Sequence, residues 1–345
     1  MIERIGILGA GAWGTALALV AARAGRAVTL CSHTLQHVED INRYQENRRN
    51  LPGVVFDAPI LATVNEEQML AADAVVLAVS AQGVLFETGR VRASYAAGLP
   101  VVIAAKGFDR ESGMRLSQVV ADTLPQVRPA VLSGPSFAVD VARGLPTAVT
   151  IAAEDEQLAL DLCHAFRNAN FRPYAETDII GVEIGGAVKN VLAIAAGIVA
   201  GRQLGASALA ALVARGFAEL RRLGAALGAR PETLMGLSGL GDLVLTCSSP
   251  QSRNFAYGKA IGEGTSTVAP QTLVERIRSN AIGGADIHHP LVEGVATAAV
   301  ARDLARLYHV EMPIVEAVAA IVEGKLDVDA AIAGLMNRPL KREAE

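Results

Sequence analysis

Two lysines stand in surroundings that favour chemistry over solubility. Lys189 lies in GGAVKNVLAIAAG, a helical pattern with hardly another charge, and Lys106 directly follows the strand-like run VVIAA in A-K-G. An amine in an apolar setting loses solvation of its charged form, which pulls its pKa toward the range where it exchanges protons near neutrality. Gly185 and Gly186, one turn before Lys189, and Ala193, one turn after it, leave a notch with room for a ligand. The plainer alternative is a lysine snorkelling from a buried helix to water. Asn190, beside it, is placed to orient a polar substrate group or to bond within the fold. Asp242, in LSGLGDLVLTC, offers a carboxylate that can set an amine's protonation, or merely close a glycine turn. Ser252, Arg253 and Asn254 open another helical stretch. An arginine with helix-start amides suits a phosphate dianion, although Arg253 equally suits a surface ion pair. In SGPSFA, Gly134 and Ser136 form an open turn able to hold a substrate or the reactive ring of a cofactor.

A cofactor is signalled at the start of the chain. Gly9, Gly11 and Gly14 form G-x-G-x-x-G between the strand-like RIGIL and the helical TALALVAARAG. The first glycine allows the tight turn, the second lets backbone approach a pyrophosphate, and the third lets helix and strand pack closely. Trp13, the single tryptophan, covers a phosphate or ribose from this turn, or else packs in the core. About 20 residues on, where an acidic side chain normally holds the ribose 2′-hydroxyl, the chain reads Leu30-Cys31-Ser32-His33. Without Asp or Glu there, strict NAD selectivity is not expected. His33 faces either a 2′-phosphate or open solvent, and NADPH use is the expectation.

The elements that must position these residues change character along the chain. Arg4 to Leu8, Ala27 to Cys31, Ala74 to Val79, Val101 to Ala105, Pro129 to Leu132 and Ala148 to Ile151 are nearly continuous apolar runs. Such runs fit strands of a sheet buried on both faces. Helical patterns separate them, such as Thr15 to Ala24, closed by Gly25, and Met114 to Leu124, stopped by Pro125. This alternation predicts an α/β fold with a Rossmann-like, doubly wound, mostly parallel sheet over residues 1–180. From Asp178, a plausible N-cap, long Ala/Leu/Gly patterns take over: Ile179 to Ala200, Leu209 to Leu227, Ala296 to Tyr308 and Pro313 to Glu323. Residues 181–345 therefore read as an all-α domain. Gly262 to Gly294 is the least patterned stretch and reads as a long loop.

Composition narrows the function classes. With 51% hydrophobic residues over 345 positions the chain is not intrinsically disordered. Its 31 Lys+Arg against 35 Asp+Glu speak against a protein that lives on the nucleic-acid backbone. Cys31, Cys163 and Cys247 form no C-x-x-C pair, so neither a disulfide framework nor a thiolate zinc site is indicated, and a reducing compartment fits. His288 and His289 lack ligand partners at metal-site spacing, and no metal is expected. The start MIERIGILGAGAWG does not resemble a secretory signal, and charges such as Lys189 break the longest apolar runs, so no membrane span is expected. The 33 glycines are the one excess.

GAGAWGTALA, A-K-G, SGPSFA, IGVEIGGAVKNVLAIAAGI, LSGLGDLVLTC, QSRN and LVEG, in this order, resemble bacterial NAD(P)-dependent glycerol-3-phosphate dehydrogenases. The resemblance implies reversible reduction of dihydroxyacetone phosphate to sn-glycerol 3-phosphate with NADP(H) and/or NAD(H), in the cytoplasm, feeding phospholipid synthesis. It makes Lys189 the catalytic proton donor and acceptor, and Lys106, Gly134, Ser136, Lys189, Asp242, Ser252, Arg253 and Asn254 the substrate contacts. It assigns dinucleotide contacts to Gly9, Gly11, Ala12, Trp13, Gly14, His33, Lys106, Ala138, Arg253, Val292 and Glu293. The cofactor on one domain and Lys189 on the other would make closure a way to exclude water. Two departures stand out: a lengthened stretch around Thr265 to Pro290, and GASAL near Gly205 where a charged or amide side chain is commoner. A β-hydroxyacid or 6-phosphogluconate type dehydrogenase is the alternative enzyme, against which GLGDL followed by SRN speaks. A non-catalytic dinucleotide-binding protein is the alternative without turnover. The apolar helical half suggests a homodimer.

Overall fold

The computed structural model describes residues 1–264, 292–340 and 342. Its strands are β1 (Arg4–Leu8), β2 (Ala27–Cys31), β3 (Ile60–Thr63), β4 (Ala74–Leu77), β5 (Pro100–Ile103), β6 (Arg128–Ser133), β7 (Thr147–Ala153) and β8 (Phe171–Glu176). They form one sheet in the order β3-β2-β1-β4-β5-β6-β7-β8, parallel throughout except for the antiparallel β6–β7 pair. All six apolar runs of the sequence are strands. β3 and β8 were not legible, because both lie at sheet edges: β3 is four residues long and β8 alternates buried and exposed positions around Pro173. An edge strand needs neither a continuous apolar run nor every ladder N–H.

The helices of the first half are α1 (Ala12–Arg23), α2 (Leu35–Tyr44), α3 (Glu66–Leu70), α4 (Val84–Arg90), α5 (Leu116–Thr123), α6 (Ala138–Ala142) and α7 (Glu156–Phe166). Beyond β8 follow α8 (Ile179–Gly201), α9 (Ala206–Ala226), α10 (Pro231–Met235), a π-helical turn at Leu237–Gly241, α11 (Asp242–Ser248), α12 (Arg253–Gly262), α13 (Glu293–Leu307), α14 (Pro313–Val322) and α15 (Val328–Met336). Asp178 starts α8 as expected, its Oδ1 accepting the Gly181 N–H at 2.8 Å. Pro231 and Pro313 each occupy a first helical turn, where the missing N–H costs nothing. The long loop expected at Gly262 to Gly294, with His288 and His289, falls for the most part outside the described residues.

The chain forms two compact units, Met1–Ala187 with Leu227–Asp242, and Val188–Ala226 with Leu243–Glu345. In these units residues 181–187, and the segment carrying α10, the π turn and Asp242, group with the sheet, beside the contiguous division into residues 1–180 and 181–345 expected from the sequence. The tie is local and made of hydrogen bonds. The chain changes unit inside α8, whose first turns are tied to the sheet unit by Glu183, which accepts from Arg115 Nη1 (2.7 Å), Ser117 N (2.7 Å) and Ser117 Oγ (2.6 Å).

In the second unit α8 and α12 approach backbone to backbone. A Cβ at Gly197 would lie 2.1 Å from the Phe255 carbonyl oxygen, and one at Gly258 would lie 2.0 Å from the Ile194 carbonyl oxygen. Gly201 against Lys259 and Gly262 against Ile198 repeat the contact one turn on, at 2.2 and 2.5 Å. Four glycines at i, i+4 spacing thus set the distance between two helices, and part of the glycine excess belongs to packing. Among the described helices α8 is the one long and apolar enough to cross a membrane, yet 89% of its most apolar window is buried in the fold.

Candidate active site

The strand order reverses between β1 and β4, and in open α/β sheets ligands bind outside the carboxyl ends of the strands at such a point. The G-x-G-x-x-G turn sits there, between β1 and α1. Gly9 holds φ +111°, with its N–H on the Cys31 carbonyl at 3.1 Å. A Cβ at Gly14 would lie 1.9 Å from the Gly9 carbonyl oxygen, so only glycine permits this approach of helix to strand. A Cβ at Gly11 would meet nothing within 4 Å. The open side is therefore at Gly11, the N-cap of α1, which has no side-chain cap and no acidic residue in its first turn. Uncapped helix-start N–H groups beside free space fit a dinucleotide pyrophosphate.

A buried polar network that sequence reading missed supports this turn. Asn47 Nδ2 donates to the Ala10 carbonyl (2.9 Å) and to Thr15 Oγ1 (2.7 Å), and its Oδ1 contacts His37 Nε2 at 2.9 Å. His37 Nδ1 in turn meets Ser32 Oγ at 3.0 Å. Ala12 and Trp13 begin α1 and pack partly against the core beneath, as does Ala138 at the start of α6. The Trp13 indole Nε1 is buried without a hydrogen-bond partner among the described residues. Trp13 thus packs on the core with part of its surface open and one polar handle left over.

At the other side of the reversal Lys106, just beyond β5, places Nζ 2.6 Å from Asp242 Oδ2 and donates to the Gly134 carbonyl at 3.0 Å. Ser136 Oγ donates to the same carbonyl at 3.0 Å. Gly134, at φ +146°, lies too near Val149 Cα (2.9 Å from its would-be Cβ) to carry a side chain. Asp242 is 1% exposed, held at the exit of the π turn, an arrangement that often marks functional positions. Four of the expected substrate residues therefore form one cluster within the first unit. Two buried hydroxyls nearby were missed: Ser133 at the end of β6 and Ser238 in the π turn, both without partners among the described residues. Ser133 was findable as the polar residue at a strand's carboxyl end, and Glu183 as the carboxylate inside an apolar helix. Burial pushes the Glu183 carboxyl up despite Arg115 and Ser117.

The notch expected before Lys189 is occupied by protein. A Cβ at Gly185 would lie 2.6 Å from the Ser238 carbonyl oxygen, and one at Gly186 would lie 2.7 Å from Ser133 Oγ. These glycines let the π turn and the end of β6 pack onto α8.

In the second unit Lys189 is buried at 8% exposure, which leaves little of a snorkelling side chain in water. Asn190, its neighbour, accepts from Asn254 Nδ2 at 3.0 Å, and Asn254 Oδ1 accepts the Gly294 N–H at 3.0 Å. Ser252 caps α12, accepting from Phe255 N at 3.3 Å, and meets Thr246 Oγ1 at 2.9 Å. Arg253 is exposed on the first turn of α12, and Val292 and Glu293 open α13 beside Gly294. The starts of α12 and α13 are thereby stitched to α8 at Asn190. Gly205, at φ +88°, leads into α9, and the lengthened stretch at Thr265 to Pro290 lies outside the described residues.

Sequence profiles of two families cover both halves of the chain: NAD-dependent glycerol-3-phosphate dehydrogenase N-terminus over residues 4–159, and its C-terminus over 178–333. The chain belongs to the NAD-dependent glycerol-3-phosphate dehydrogenase family. A glycerol-3-phosphate dehydrogenase (NAD(P)+) of Bradyrhizobium sp. strain BTAi1 is 53% identical over 341 residues, 99% of this chain and 98% of that protein. The enzyme of the same name from Azorhizobium caulinodans is 53% identical over 342 residues, 99% of both. The crystal structure of glycerol-3-phosphate dehydrogenase from Coxiella burnetii, at 38% identity, superposes with a TM-score of 0.89 over 98% of this chain and 99% of that one. This family membership agrees with the resemblance read from the motifs, with the Rossmann-like sheet and with a dinucleotide on the N-terminal half.

Proposed function

We propose that the chain reduces dihydroxyacetone phosphate to sn-glycerol 3-phosphate, reversibly and with NAD(P)H. The observation that carries the reading is the Lys106–Asp242 pair at 2.6 Å, a part-buried amine hydrogen-bonded to a buried carboxylate at the carboxyl end of the sheet in a chain of this family. The dinucleotide, when bound, supplies the hydride. Gly11 and the first turn of α1 with Ala12 and Trp13 take its pyrophosphate side, and His33, Ala138, Val292 and Glu293 are its further contacts.

Lys189 gives a proton to the carbonyl oxygen as it becomes an alkoxide, and takes one back in oxidation. A positioned general acid contributes about 10²–10⁴-fold. Lys106 steadies the developing negative charge, with Asp242 and the Gly134 carbonyl fixing its amine and Ser136 fixing the turn. Ser252, Arg253 and Asn254 grip the phosphate through one guanidinium and the helix-start N–H groups of α12. The product is the backbone precursor of phospholipids, and we take this supply, in the cytoplasm and as a homodimer, to be the physiological role. The three cysteines, all buried, suit a reducing compartment.

Following NADH and NADPH absorbance with dihydroxyacetone phosphate tests the reading. Consumption is expected with the wild type and is lost in Lys189→Ala; no consumption with either nucleotide would sink the assignment, and an undiminished Lys189→Ala rate would sink the role of the lysine.

A further inference from the structure

The acidic side chain missing from the end of β2 in the sequence is supplied by the fold from another strand's helix. His33 Nε2 lies 3.1 Å from Glu87 Oε1, on α4. Glu87 Oε2 accepts from Arg90 Nη2 at 2.9 Å, and Arg90 also pairs with Glu66 of α3. The ligand atoms of His33, Glu66 and Glu87 all lie within 4.8 Å of one another. This is not read as a metal site, because the Arg90 guanidinium already sits on both carboxylates as their cation. The side chains of Glu66 and Glu87 are 12% and 11% exposed while that of His33 is 53% exposed. The carboxylates are thus held below an accessible imidazole at the tip of β2.

In this sheet topology the adenosine ribose of a dinucleotide lies at the end of the second strand. A phosphate there needs cationic donors; a hydroxyl needs an acceptor. Both the imidazole of His33 and the guanidinium of Arg90 are engaged by Glu87, and two carboxylates face them. We propose that Glu87 sets the choice of coenzyme, favouring the ribose 2′-hydroxyl over the 2′-phosphate by occupying His33 and Arg90 and by placing negative charge where the phosphate would sit. This sets the preference in the direction opposite to the one expected from residues 30–33 while leaving NADPH a coenzyme, and it rests on the dinucleotide reading of the glycine turn.

Calorimetric titration of the full chain with ADP-ribose and with 2′-phospho-ADP-ribose isolates that one group without turnover. The wild type is expected to bind ADP-ribose at least as tightly as its 2′-phosphorylated form. Glu87→Gln, nearly isosteric, is expected to shift the ratio of affinities about tenfold or more toward the phosphorylated ligand. The NADPH-to-NADH ratio of kcat/KM should move the same way. An unchanged ratio in Glu87→Gln, with both ligands still binding, overturns the proposal and leaves the dinucleotide reading standing. Binding of neither fragment by the wild type overturns both. His33→Ala, at an accessible position, gives a second arm independent of how Glu87→Gln folds. Any loss of affinity should be alike for the two fragments, so that their ratio holds, since Glu87 already engages the imidazole, and a loss of about tenfold or more confined to the phosphorylated fragment would show His33 holding the phosphate and overturn the proposal.

Discussion

Lys106 Nζ and Asp242 Oδ2 lie 2.6 Å apart although 136 residues separate them in the chain, and Asp242 is almost wholly buried. Breaking a pair with a buried member from one side costs up to about 3–5 kcal/mol, whereas replacing both partners by apolar groups is often neutral. Asp242→Asn is therefore expected to lower both the melting temperature and kcat/KM, the latter about 100-fold or more. Lys106→Met combined with Asp242→Leu should regain the melting temperature and none of the activity. If the double variant turned over substrate normally, the pair would be structural alone.

Lys189→Ala is expected to lower kcat about 10²–10⁴-fold, the range of a lost general acid, with nucleotide affinity unchanged. Steady-state kinetics beside direct titration of NADH separates the two quantities. A variant that lost nucleotide affinity and kept kcat would move Lys189 from proton transfer to cofactor binding.

Gly11 and Gly14 should respond in opposite ways to the same substitution. Gly14→Ala puts its Cβ 1.9 Å from a carbonyl oxygen and must spread α1 from β1, so it is expected to destabilise by several kcal/mol. Gly11→Ala meets nothing within 4 Å, so its melting temperature should hold while dinucleotide affinity falls about tenfold or more, because the methyl enters the space of the pyrophosphate.

Glu219 on α9 accepts the N–H groups of Ile314 and Val315 at 2.8 and 3.1 Å, capping α14. Burial pushes its carboxyl up to about 7 from the usual 4.5, against the pull of those two N–H groups. Between these values the native state binds more protons than the unfolded one. Stability from this group is thus full below about pH 4.5 and is lost as pH rises through 7, by roughly 3 kcal/mol. Urea denaturation from pH 5 to 8 should show that decline in the wild type and a flatter profile in Glu219→Gln. Parallel profiles would remove Glu219 as its source.

The sequence by itself determined what is local. Six continuous apolar runs became the strands they promised, because a strand buried on both faces needs no partner to be recognised. Gly9, Gly11 and Gly14 declared the turn, since a left-handed turn, an open helix start and a close helix–strand approach fall within six residues. Asp178, Pro231 and Pro313 marked helix starts through chemistry confined to one turn.

Only the tertiary structure decided which distant side chains meet. Asp242 reaches Lys106 because Leu227–Asp242 returns to the sheet unit, and Glu87 reaches His33 because the strand order puts β4 on one side of β1 and β2 on the other. The same holds for the glycines at 185, 186, 197 and 258, which read as room for a ligand or as excess and are contact points, against backbone at 185, 197 and 258 and against the Ser133 hydroxyl at 186. Periodicity and turn propensity act over a few residues, whereas pairing depends on sheet order and crossovers, which no short window of sequence contains.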